Sequence, residues 1–73
     1  MNIKYTNNLG NDKVLTDCVE IPQGHTFFYM YLCDGTEYME EWSWEHNAYV
    51  LYKVADNKLS QRKVGIVYSV YGE

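Results

Sequence analysis

Turn-forming residues punctuate the 73-residue chain at short, regular intervals, and that spacing limits its fold more than any other feature. Clusters fall at Asn7-Asn8-Leu9-Gly10-Asn11-Asp12, Pro22-Gln23-Gly24, Asp34-Gly35, Glu45-His46-Asn47 and Asp56-Asn57-Lys58. Gly, Asn and Asp tolerate left-handed backbone angles, and Asn and Asp side chains bond their own backbone, so each cluster interrupts a regular element. The runs between them hold roughly seven to thirteen residues and are rich in Val, Tyr, Thr, Phe and Trp. β-Branched and aromatic side chains at that spacing are those of consecutive strands in a small all-β domain.

The strongest local signal is Asp34-Gly35 between Tyr29-Met30-Tyr31-Leu32-Cys33 and Thr36-Glu37-Tyr38-Met39. Asp-Gly supplies the two positive φ angles of a type I′ hairpin turn. Strands are expected near 13–21, 25–33, 36–44, 48–55 and 60–71, with a short one at 2–6. Alternation supports the later ones, since Val50, Tyr52 and Val54 share one face and Val64, Ile66, Tyr68 and Val70 share another.

Residues 36–47 are ambiguous. As a helix, Glu37, Glu40, Glu41 and Glu45 would line one side and Tyr38, Met39 and Trp42 the other, which would make the fold α+β. As a strand, Tyr38, Trp42 and Trp44 point one way and Glu37, Glu41 and Glu45 the other, leaving Met39 and Glu40 as misfits. The preceding turn and the Tyr and Trp content favour strand. The expected architecture is therefore a single all-β domain over 1–73, about five antiparallel strands in a meander that forms a small barrel or curled sheet.

A chain this short has a small core, worth ~3–5 kcal/mol, and needs reinforcement from a disulfide, a metal or a partner subunit. The N-terminal MNIKYTNNLGND lacks the apolar stretch of an export signal, so a cytoplasmic location is expected, with Cys18 and Cys33 as reduced thiols and a bridge between them as the alternative. No membrane association is expected, because the longest apolar run, Phe27 to Cys33, falls far short of the ~18 residues a spanning helix needs. That same segment is apolar on both faces, which points to a homo-oligomer interface.

The formal net charge of -4 conceals a strong polarity along the chain. Residues 14–52 contain no Lys or Arg and carry Asp17, Glu20, Asp34, Glu37, Glu40, Glu41 and Glu45, a balance of -7, while the remainder stands at +3. Carboxylates interleaved with aromatics suit a protein partner with a basic, nucleic-acid-binding surface, carboxylates replacing phosphates and rings replacing stacked bases. The expected partner-binding residues are Glu37, Tyr38, Glu40, Glu41, Trp42, Trp44 and Glu45, the acids steering the encounter and the rings anchoring it.

Direct nucleic-acid binding is disfavoured, since Lys58, Arg62 and Lys63 with Lys53 are a meagre basic footprint. No metal or cofactor site is expected, for His25, His46, Cys18 and Cys33 show no ligand spacing. No catalytic residues stand out either: there is no phosphate-binding loop and no nucleophile elbow, and the chain reads as a non-enzyme. Two alternatives remain, an oligomeric binder of nucleotides or sugars with Tyr- and Trp-lined pockets, and a structural subunit. In general style the chain is similar to small phage-encoded or mobile-element antagonists of host enzymes, through its size, initiator Met, usage of Asn, Lys, Tyr and Ile, and acidic aromatic character. That similarity implies an inhibitor acting in a host cytoplasm, and no residue roles.

Overall fold

The computed structural model describes residues 1–24, 27–56 and 60–72. His25, Asn57 and Lys58, discussed above, lie outside them. Seven strands form one antiparallel sheet: β1 (Asn2–Asn7), β2 (Asp12–Leu15), β3 (Cys18–Ile21), β4 (Tyr29–Cys33), β5 (Thr36–Ser43), β6 (Ala48–Val54) and β7 (Gln61–Tyr71), in spatial order β2-β1-β7-β6-β5-β4-β3. No helix occurs among the described residues, and none of them forms a helix long and apolar enough to cross a membrane.

Turn chemistry accounts for the hairpins. Asp34 and Gly35 have φ of 50° and 79°, which seats Cys33 opposite Thr36 and sets the β4–β5 register through Tyr31↔Tyr38 and Tyr29↔Glu40. At the β1–β2 turn the Asn7 side-chain oxygen accepts hydrogen bonds from the backbone N–H of Leu9 and Asn11, at 3.0 and 2.9 Å, and Gly10 takes the left-handed angle. Thr36–Ser43 is strand and not helix, because β4 and β6 pair with it along both edges and satisfy its backbone groups.

Five consecutive strands, β3 to β7, form the expected meander. The correction lies upstream: 13–21 is two strands, not one, and 2–7 is a full member of the sheet, which brings the total to seven. The break falls at Asp17, whose φ of 55° is left-handed, a conformation Asp adopts more readily than most residues. Two residues then carry the chain from one edge strand, β2, to the other, β3, so the sheet curls until its edges meet at this corner. The curl is not a closed barrel, since β2 and β3 do not pair. Met1 and Cys18 tie the seam instead, each backbone N donating to the other's carbonyl at 2.9 and 2.8 Å.

Cys18 and Cys33 are directly opposite on β3 and β4, with Cα atoms 4.2 Å apart, and are joined as a disulfide. The expectation of free thiols is corrected by this pairing: the break at Asp17 turns Cys18 onto the same face as Cys33. Register places Ile3, Tyr5, Cys18, Tyr31, Cys33, Leu51 and Val67 on the inner face of the curl, where they form the core. Met39, Val50 and Val54 are buried on the outer face, so the central strands are covered on both sides.

Candidate functional site

Strand β5 divides the sequence-derived residues between two faces. Tyr38, Glu40 and Trp42 point inward, opposite Tyr31, Tyr29 and Tyr49 of the neighbouring strands, while Glu37, Met39 and Glu41 point outward. Trp44 and Glu45 lie beyond the strand end, in the β5–β6 turn. The seven residues therefore do not share one surface. Both misfits of the strand pattern turn out to be buried, Met39 outside and Glu40 inside.

Two assemblies emerge. At the β5–β6 hairpin tip, Trp42 and Trp44 meet edge to face with ring centroids 5.6 Å apart, and Trp42 stands equally edge-on to Tyr49 at 5.1 Å. Trp44 is 84% exposed and is followed in the turn by the exposed Glu45, while the exposed Glu41 is on the opposite face of β5 from Trp42. From the tip, the aromatic row continues inward, Tyr49 contacting Tyr29 at 6.2 Å.

That row leads to an inner cleft of about 350 Å³, walled by Tyr29, Tyr31, Tyr49, Val67 and Tyr68 with Glu40 among its lining residues. Glu40 is only 5% exposed, and the Tyr31 hydroxyl donates to its Oε1 at 3.0 Å. Burial pushes the Glu40 carboxyl above the ordinary carboxylate range; the Tyr31 hydrogen bond opposes that shift and the charge of Glu20 reinforces it. Burial also drives the Tyr31 phenol well above its ordinary value, helped by the Glu40 charge beside it. The cleft is thus aromatic and electronegative, and among the described residues no Lys or Arg lines it. Tyr29, Tyr31, Tyr49 and Tyr68 were not singled out from the sequence as site residues; counting outward from the two-residue Asp34-Gly35 turn would have put Tyr29 opposite Glu40.

On the outer face a larger groove, about 620 Å³, has Ile21, Phe28, Met30, Met39 and Val54 as its floor and Glu37 and Glu41 among its polar lining. Of the basic residues, Lys53 pairs in register with Arg62, Lys4 Nζ stands 5.2 Å from the Tyr71 ring centroid, and Lys63 reaches the β5–β6 turn, its Nζ 3.2 Å from His46 Nε2, which lies 3.7 Å from Glu45 Oε1. Among the described residues no three His, Cys, Asp or Glu side chains converge as a metal site. No family model, no curated protein and no solved structure matches the chain.

Proposed function

We propose that the chain is a non-enzymatic protein-binding module, an inhibitor of small phage-borne type, that engages a partner's basic surface through the β5–β6 hairpin tip. The observation that carries this reading is the Trp42–Trp44 pair, with Trp44 84% exposed at a hairpin tip that also holds the exposed Glu45. A tryptophan left in water forgoes roughly 1.5–3 kcal/mol of burial, and buried tryptophans surrounded by charge dominate the energy of many interfaces. Glu41 and Glu45 steer a cationic surface toward the rings, and Glu37 extends the acidic strip along β5. Tyr38 and Glu40 do not touch the partner in this arrangement; they hold the strand from inside. Val19 and Leu32, opposite one another on β3 and β4 and both exposed, add a self-association surface consistent with a homo-oligomer.

The test is capture from the native host with tagged protein, identification of the bound protein, and titration of that protein in purified form. Trp44→Ala should weaken binding by about 2 kcal/mol, some 30-fold. Reversing Glu37, Glu41 and Glu45 to Lys should slow association and abolish its salt dependence, with unchanged circular dichroism. Light scattering on the same samples reads the oligomeric state. A purified partner that binds both variants as tightly as the parent chain rules the reading out.

A further inference from the structure

We propose that the inner cleft is a binding site for an alkylammonium cation, its charged head against the Glu40 carboxylate and its methylene chain between tyrosine rings. The site lies inward of the hairpin tip, joined to it through the Trp42–Tyr49 contact, and its failure leaves the reading carried by the exposed Trp44 untouched.

Three observations converge on this ligand. First, Glu40 is a nine-tenths-buried carboxyl whose one donor among the described residues is the Tyr31 hydroxyl. A carboxylate has room for about four hydrogen bonds, and Glu40 lines an open cleft, not a sealed core, so a ligand N–H can reach it. Second, the walls are ring faces and edges. Tyr29, Tyr49 and Tyr68 line the same cleft as Glu40, from β4, β6 and β7, and aromatic quadrupoles favour a cation desolvated from water. Third, the charges of the lining are negative. Glu20 stands opposite Tyr31 on β3 and adds negative charge, and among the described lining residues none is Lys or Arg; Lys4, opposite the lining Ser69, has its Nζ over the Tyr71 ring.

The backbone is shaped to match. The β1–β7 register shifts between Lys4 and Tyr5, which leaves Tyr68 without a partner in β1. An extra residue of this kind bends its strand and re-aims its side chain, and here it is Tyr68 that reaches the cleft wall. About 350 Å³ lies at the small end of ligand pockets and accommodates a linear amine of a few carbons. Neutral sugars would not exploit the charge, and the phosphates of nucleotides would be repelled by it.

Alkylammonium groups come from two sources, a free amine or the side chain of a lysine on another protein. Titration of the intact protein with butylammonium chloride, with 1-butanol as its neutral counterpart and with acetyl-Gly-Lys-Gly-amide separates them, following tyrosine ring resonances and melting temperature at constant ionic strength. Butylammonium should shift the Tyr29, Tyr49 and Tyr68 rings and raise the melting temperature, with 1-butanol roughly tenfold weaker or worse. Tighter binding of the peptide than of butylammonium assigns the site to a lysine side chain, and the reverse assigns it to a free amine; either supports the cation site. Glu40→Gln keeps an acceptor for Tyr31 and should erase the preference for ammonium over alcohol. Tyr68→Leu, at an exposed position, should weaken ammonium binding without altering the fold. Equal binding of butylammonium and 1-butanol, or Glu40→Gln behaving as the parent chain, would overturn the proposal.

Discussion

Glu40 shows how a single residue can be costly to the fold and informative about use. Its carboxyl is desolvated, and its titration in the folded chain lies above the ordinary value of 4.5. The folded state therefore holds the Glu40 proton at pH values where the unfolded chain has released it. Stability from this residue is greatest below the unfolded value and is lost as pH rises through the folded one. Above that pH range the folded protein carries the cost of a desolvated, half-satisfied buried acid. Glu40→Gln should consequently melt higher than the parent at pH 7, with the difference closing as pH falls toward 4, as thermal unfolding across that range would read. A higher melting temperature coupled to loss of ammonium binding is the exchange of stability for function expected of a binding residue. From the sequence Glu40 could be marked only as a misfit of the strand pattern. Whether such a misfit is exposed by a twist or buried against a hydroxyl depends on Tyr31, nine residues away, and only the register brings them together.

At the level of strands, local chemistry explains the hairpins and fails at the corner. Asp34-Gly35 and the Asn7 loop are legible because each turn is specified by residues within it. The break between β2 and β3 is not, since Thr16-Asp17 carries no Gly or Pro to mark it. What decides it is that β2 pairs with β1 and β3 with β4, at opposite edges of the sheet. Gly65 is the counterpart inside a strand. It sits in the interior of β7 where β1 crosses closely, and a Cβ there would collide with the backbone carbonyl of Thr6 and the ring of Tyr5. Because backbone, not a flexible side chain, would have to yield, Gly65→Ala should cost about 2–3 kcal/mol, measured as a lowered denaturant midpoint with an unchanged slope. An Ala variant as stable as the parent would mean that β1 and β7 can separate without loss.

For the molecule as a whole, a seven-stranded sheet of 73 residues gains little from core size, and its curl leaves the edge strands β2 and β3 unpaired with each other. The disulfide supplies part of the reinforcement that the small core lacks. It spans 15 residues of sequence and fastens β3 to β4 beside the seam where Met1 meets Cys18. A closed loop of that length removes chain entropy from the unfolded state worth about 3 kcal/mol. Reduction, or replacement of Cys18 and Cys33 by Ala, should then lower the melting temperature on the order of 15 °C, read by calorimetry with and without reductant. By itself the sequence determined the all-β class, the β3–β7 meander, the hairpin turn at Asp34-Gly35 and the acidic middle of the chain, because these follow from side-chain period, turn residues and charge that act within a few positions. Tertiary structure alone decided the corner at Asp17, the pairing of the cysteines, the inward turn of Glu40 and the tyrosine cleft around it. Those features join residues from strands distant in sequence, and their placement is set by curvature and register summed over the whole sheet, which no local pattern encodes.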